Sequence, residues 1–596
     1  MRLITLLCCL GCLLNTAYAQ KKPVADKRFA GLDTLIPGLL RDLHAAGCAV
    51  AIVDKDKVVY SKGFGFKDYE SKTPVTENTL FAVGSTTKAF TAALLGQLMQ
   101  DGKLDLDKPA KKYLPDLAFH NEYLTEHVTI RDMMTHRTGL PRHDYAWYGS
   151  SSPRDSLFYR IRFLEPSTEL RASWQYNNFM YMAQGVIAEK LTGSRWEDLV
   201  RAKIFAPLNM TTANFSIDTM TRSADYALGY YEDKDTIKKL DFMPLDAMGP
   251  AGSINASVKE MANWVTTWIN GGKFNGKEVI PASYHSQAIS AQMSMGGGAP
   301  SKEVPDVFFS SYGLGWMLSS YRGHFLVEHG GNIDGFSANV GFFPADSIGI
   351  VVLTNQNNSA LPGMLRNILS DRMLGLSPRN WSQMRKDRLA KAKTAPQSVT
   401  NIDSLNRKLN TRPSHPLADY AGVFEHPGYG KVTVRIKGDS LLFDYNKNQN
   451  KFFLDHYHYD VYSLKAIEGG ESATKIRFNT DLKGNISSLV AELEPTVKPI
   501  EFEKLQPELA VTADELTQFV GEYTLSGLTA KIYTRGSILM LFVPGQPDYE
   551  LVPAGKDEFN LKVAKGFSVK FERDANQKIV AMNFVQPNGV FKATRK

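Results

Sequence analysis

Residues 81–90 read FAVGSTTKAF, and residues 91–100 continue TAALLGQLMQ. The stretch sets Ser85 one helical turn before Lys88 and follows both with an apolar run from Ala89 to Met99. A residue that opens a helix lies among backbone N–H groups with no intrahelical partner. The positive helix end favours negative charge there, including the oxyanion of an attacked carbonyl. At i and i+3 the two side chains share a face, with about 5–6 Å between Cβ atoms. A helix apolar all round is central and buried, and burial lowers a lysine's pKa until it can serve as a base. The stretch therefore predicts a nucleophile beside its proton acceptor. A capped helix with an incidental lysine is the plain alternative. Spacing alone does not choose, because SATK at Ser472–Lys475 repeats it. That second match precedes a strand pattern with no buried helix behind it.

Two further segments decide. WQYNNF (174–179) holds Tyr176 and Asn178, the only Y-x-N in the chain. In an extended segment these two side chains point the same way. A phenol can shuttle a proton, and an amide can orient a carbonyl. VEHGGNIDGF (327–336) places His329, Gly330 and Gly331 at the expected end of a strand, where glycine lets a substrate backbone approach closely. Taken singly, Tyr176 reads as a structural tyrosine and His329 as a surface histidine, a pattern that HPG at His426 also offers.

Working outward, 596 residues are too many for one core. Helical spacing of leucines from Arg28 to Ala46, stopped by Gly47, is followed by two β-branched runs around DKDK (54–57), a hairpin signal. Apolar-striped helices fill the middle, and strands return at YGLGW, HFLVEHGG, SANVGFFPA and IGIVVLTNQ before a last helix near Leu376. The expectation over 27–376 is an α+β fold: one antiparallel sheet drawn from both ends of the domain and flanked by helices. Residues 377–416 turn basic and proline-bearing and read as a solvated helix and linker. Beyond them the chain repeats. Tyr420, Gly422, Phe424 and Phe443 recur as Phe519, Gly521, Tyr523 and Phe542, each 99 residues on. Phe478, Asp481 and Ile486 recur as Phe571, Asp574 and Ile579. Two all-β modules, 417–505 and 506–596, are expected, each with about eight short strands that make a small barrel or sandwich.

The composition is that of a folded globular chain, 43% apolar and 22% charged. A formal charge of +7 is too sparse for nucleic-acid binding at this length, and no aromatic–basic interleaving accompanies it. Residues 1–19 have a positive start, an apolar centre and an A-x-A end, which predicts an export signal cut after Ala19. An uncleaved anchor, or a lipid site at Cys12, fits the flanking residues less well. Removal of the signal takes Cys8, Cys9 and Cys12 and leaves Cys48, which sits in an apolar strand pattern and reads as a buried small hydrophobe. No stretch after the signal reaches the roughly 20 apolar residues of a membrane span. Gly296–Asp306 reads as a flexible loop at the cleft rim, and His456 and His458 as two strand histidines rather than metal ligands.

The ordered set Ser85-x-x-Lys88, Tyr176-x-Asn178 and His329-x-Gly331 resembles the serine β-lactamase and penicillin-binding family. The tyrosine and histidine forms are most similar to its class C and esterase branch. TIRDMMTHRTGLP, GPAGSINASVKEMANW and YGLGW look like that branch too, and the two β modules are similar to barrel tails carried by some members. The resemblance implies that Ser85 becomes acylated and that Lys88 and Tyr176 relay its proton. It implies that Asn178 holds the substrate and that His329 and Gly331 line the cleft. The N–H groups of Ser85 and Asn332 would form the oxyanion hole. It implies neither a cofactor nor a metal. The expected partner is a small-molecule or peptide substrate, including cell-wall fragments, met after export to the periplasm or medium. Oligomeric state is left open. One departure stands out. His329 replaces a lysine usual in penicillin-degrading members, and a histidine with a pKa of about 6.5 attracts a carboxylate less. That favours an ester, amide or D-amino-acid peptide hydrolase over a dedicated β-lactamase. The alternatives are a cell-wall-peptide recognition protein with little turnover, a true β-lactamase, or β modules that carry the main function.

Overall fold

A computed structural model describes residues 26–296, 300, 305–394, 406–445, 451–466, 471–505, 511–563 and 566–596. The expected export signal with its three cysteines, and most of the Gly296–Asp306 loop, lie outside the described residues. The chain forms two compact units, Met1–Ser404 and Leu405–Lys596.

The first unit is built on a nine-stranded antiparallel sheet. Its strands are β1 (Gly47–Asp54), β2 (Lys57–Asp68), β3 (Thr73–Pro74), β4 (Met293–Ser294), β5 (Ser310–Tyr312), β6 (Met317–Tyr321), β7 (His324–Ile333), β8 (Phe336–Phe343) and β9 (Ile348–Thr354). The order across the sheet is β4-β5-β6-β7-β8-β9-β1-β2-β3. The two ends of the domain thus meet at the centre, where Cys48 pairs with Thr354 and Asp54 with Ile348. Alternate side chains of β1 serve opposite faces. Cys48, Val50 and Ile52 join Leu32, Ile36, Leu39 and Leu40 of α1 (Leu32–Asp42) in one apolar cluster. A helix later in the chain, Leu361–Met373, adds Leu361, Leu365 and Leu369 to the same cluster. Cys48 is fully buried there as an inert thiol, its pKa pushed up by burial. α1 ends earlier than the leucine spacing implies. His44 adopts the left-handed conformation at φ 48° and turns the chain, and Gly47 opens β1 rather than stopping the helix.

Behind the other face runs α2 (Thr87–Gln100), buried from Thr87 to Gly96 as its sequence requires. Next to it lie α3 (Asn178–Thr192) and α4 (Val258–Ile269). Trp264 of α4 stacks on Phe90 of α2, ring centroids 3.9 Å apart. α4 begins with a capping box between Ser257 and Glu260, a start worth about 1 kcal/mol. The helix Leu361–Met373 is α5, and the basic segment forms a solvated helix, α6 (Trp381–Thr394). No described helix is long and apolar enough to cross a membrane.

The second unit contains two closed eight-stranded barrels, Gly422–Lys504 and Gly521–Arg595. The repeat is visible in its hydrogen bonds. Phe424 pairs with Lys504 to close the first barrel, and Tyr523, 99 residues on, pairs with Arg595 to close the second. Asp481 Oδ1 accepts from the N–H groups of Lys483 and Asn485 at 2.8 and 2.9 Å. Asp574 Oδ1 accepts from Asn576 and Lys578 at the same two distances. One expected equivalence is imperfect: Phe443 is buried at 2% exposure, whereas Phe542 is 39% exposed. His456 Nε2 bonds the Tyr459 carbonyl and His458 Nδ1 accepts from Lys408 N–H.

Candidate active site

Ser85 sits on a short 3₁₀ turn, Gly84–Thr86, that runs directly into α2. Gly84 holds φ at 54°, and a side chain there would meet Asn332 N at 2.9 Å. Gly331 is equally constrained, since a Cβ would lie 2.0 Å from the Val83 carbonyl oxygen and 3.3 Å from Ser85 N. These two glycines let β7 press against the turn, so that the backbones of Ser85 and Asn332 lie side by side.

Lys88 is fully buried. Its Nζ lies 2.8 Å from Asn178 Oδ1, 2.8 Å from the Ala251 carbonyl and 3.2 Å from Ser85 Oγ. The first two partners can only accept. The Asn178 amide is fixed in this sense because its Nδ2 donates to Asp144 Oδ1 at 3.0 Å. A neutral amine has two N–H bonds for the two carbonyls and one lone pair for the hydroxyl of Ser85. Burial, and then the charge of Arg142, hold the Lys88 pKa well below 10.5, against an opposing pull from Asp144. Tyr176 completes the group, its ring 4.7 Å from Lys88 Nζ. Burial raises its phenol pKa, with a hydrogen bond to Ser85 acting the other way, so the phenol keeps its proton.

Tyr176 and Asn178 are not two steps of one extended segment, as the sequence implied. Asn177 is the extended N-cap, its side chain accepting from Met180 N–H, and Asn178 is the first residue of α3. The helix start delivers Asn178 to Lys88. His329 lies within β7 and is 1% exposed. Its Nδ1 donates to the Gly330 carbonyl at 2.7 Å and its Nε2 accepts from Tyr312 Oη at 2.9 Å. Burial, and then the charge Lys88 carries when protonated, push its pKa down to about 3. It touches the site through the ring of Tyr176, centroids 6.4 Å apart.

The cleft over Ser85 encloses about 330 Å³. Asn178 and Asn332 line it, together with Arg142, Asp144, Tyr148 and Asp334, which the sequence reading did not single out. His136 was also missed. It is fully buried, lies 4.4 Å from the Tyr176 ring, and accepts from Asn177 N–H through Nδ1. Its place in TIRDMMTHRTGLP was the available signal. The other two quoted phrases also build the site. GPAGSI supplies the Ala251 carbonyl to Lys88, and YGLGW supplies Tyr312 to His329.

Comparison with known proteins identifies the family. The Beta-lactamase family profile matches residues 32–371, and residues 406–504 match a domain of unknown function, DUF3471. An unguisins hydrolase, ungD', of Aspergillus campestris is 30% identical over 415 residues, 66% of this chain and 74% of that protein. Protein flp of Staphylococcus aureus is 25% identical over 343 residues, 56% of this chain and 65% of its own length. Among solved structures, the octameric penicillin-binding protein homologue from Pyrococcus abyssi shares the fold at a TM-score of 0.53 and 20% identity, over 79% of this chain and 99% of that one. With its sheet assembled from both ends of the domain and more than half its length inside the family profile, the chain belongs to the Beta-lactamase family.

Proposed function

We propose that the protein is an exported serine hydrolase that works through an acyl-enzyme on an ester, amide or D-amino-acid peptide bond. The observation that carries this reading is the placement of Lys88 Nζ between two obligate acceptors and Ser85 Oγ. Ser85 Oγ attacks the carbonyl carbon as its proton passes to Lys88. The oxyanion is held by the N–H groups of Ser85 and Asn332. The bond to the leaving group breaks, and that group takes a proton from Tyr176, which Lys88 restores. Water then attacks the acyl ester, gives a proton back through the same relay, and frees the acid and Ser85. General-base assistance of this kind contributes about 10²–10⁴ in rate.

Two observations support a substrate other than penicillin. His329, at the position where a lysine would attract a carboxylate, is buried and held neutral. Among the described residues Arg142 is the cation lining the cleft, and its Nε is paired with Asp144 Oδ2 at 2.6 Å. Export rests on the first 19 residues. Labelling with a fluorophosphonate, comparing the parent with Ser85→Ala, tests the nucleophile: loss of labelling in the variant is expected, and equal labelling overturns the reading. A turnover panel of esters, β-lactams and D-amino-acid amides separates hydrolysis from binding without release. Stoichiometric acylation with no turnover on any of them would favour the recognition protein.

A further inference from the structure

Among the described residues, the charged side chains lining the cleft are Arg142, Asp144 and Asp334. The first two are paired through Arg142 Nε, with the Arg142 side chain 55% exposed. Arg142 is paired with one oxygen of Asp144, and the other oxygen accepts from Asn178 Nδ2 at 3.0 Å and Trp147 Nε1 at 2.8 Å. Asp334 differs. Among the described residues its two oxygens accept only from the single hydroxyl of Tyr148, at 3.1 and 2.8 Å. A carboxylate offers about four acceptor positions and a phenol supplies one proton. Among the described residues no cation acts on Asp334: burial raises its pKa and the Tyr148 hydroxyl lowers it. A half-buried carboxylate in a substrate cleft thus has acceptor positions that no described protein group fills.

Its position is informative. Asp334 opens the turn between β7 and β8, two residues past Asn332. At about 3.3 Å per residue of extended chain, its Cα lies roughly 7 Å from that of Asn332. A carbonyl held by the Asn332 N–H therefore has Asp334 within reach of a short substituent.

We propose that Asp334, oriented by Tyr148, binds a protonated amine of the substrate, so that the enzyme prefers amine-bearing esters or amides to carboxylate-bearing ones. The proposal rests on the serine-hydrolase reading above and specifies its substrate class.

The test uses the full chain and matched chromogenic anilides and esters in D and L forms. One series carries the acyl-side amine free, N-acetylated or N-succinylated. A second carries an amine, or its acetylated form, on the leaving part. In one of the two series the parent is expected to favour the free amine over the acetylated form by about 10- to 100-fold in kcat/KM, the range of a charge-assisted hydrogen bond. Asp334→Asn, which keeps an acceptor for Tyr148, should bring that ratio close to one. Asp334→Lys should turn the preference towards the succinylated substrate. Each ratio is read within one variant, so partial loss of folded protein does not move it. Equal rates in both series for the parent, or a ratio unchanged in Asp334→Asn, overturns the proposal. A parent that no fluorophosphonate labels overturns the serine-hydrolase reading instead, whereas a labelled parent indifferent to the amine overturns this inference alone.

Discussion

Tyr312 Oη stands 2.9 Å from His329 Nε2, while the opposite ring nitrogen of His329 is committed to the Gly330 carbonyl. Only the neutral ring satisfies both contacts with Tyr312 donating. Burial disfavours a charge on His329, and a protonated Lys88 would add repulsion, which is why its pKa falls from 6.5 to about 3.

The pH dependence of stability follows. Below pH 6.5 the unfolded chain takes up a proton that the folded chain refuses until about pH 3. The contribution is whole above the unfolded value and is lost as pH falls, at up to about 1.4 kcal/mol per pH unit. His136, whose pKa is also lowered by burial, acts in the same direction. Urea unfolding of the parent at pH 7 and pH 5 should show a drop that is smaller in His329→Gln. Equal drops in both proteins would refute the assignment.

Lys88→Met removes the proposed base with little change of volume. It should lower kcat by about 10²–10⁴ and slow fluorophosphonate labelling of Ser85. It leaves Asn178 Oδ1 and the Ala251 carbonyl without their donor, at a stability cost of about 1–3 kcal/mol. Calorimetry and single-turnover kinetics separate the two effects. Unchanged kcat in a folded variant would remove Lys88 from the mechanism.

Gly331→Ala would drive a methyl group to within 2.0 Å of the Val83 carbonyl oxygen. β7 has to retreat from the Gly84–Thr86 turn, an overpacking cost of about 1–3 kcal/mol. Activity should suffer more than stability, because the Asn332 N–H moves with the strand and a displacement of about 1 Å can cost 10²-fold. A variant with a lowered Tm and undiminished kcat/KM would show that this strand plays no part in holding the oxyanion.

Asp481→Ala and Asp574→Ala each remove the oxygen that accepts from two backbone N–H groups in equivalent turns of separate barrels, and Asp481→Ala also loses a contact from Asn485 Nδ2. Each should lower the stability of the second unit, and the double variant should show the sum, because the sites share no partners. A double variant no worse than either single one would mean that the two turns do not act alike.

What could be read from the sequence was what depends on local spacing. Ser85 and Lys88 are one turn apart, so any helix there brings them together, and the unbroken apolar run after them required burial. The repeat of Asp481 at Asp574 needed only comparison of the chain with itself. The boundary of α1 was misplaced because a left-handed His44 has no compositional mark. Asn178 was set on an extended segment although Asn177, followed by an apolar run, carries the signature of an N-cap. Arg142, Asp144, Tyr148 and Asp334 could not be found by spacing at all. The first three share one segment and Asp334 sits in the β7–β8 turn, and they acquire their roles only when β7 and α3 close around the nucleophile.

The pairing of β1 with β9 also governs how the molecule comes into being. The Thr354 hydroxyl donates to the Gly47 carbonyl across 307 positions of chain. A strand as apolar as β1 must wait, without its central neighbour, until nearly the whole first unit has been synthesised. Contacts so distant slow folding and lengthen the interval in which bare strand edges can find the wrong partner. Truncation anywhere before β9 therefore yields an aggregating fragment instead of a smaller enzyme.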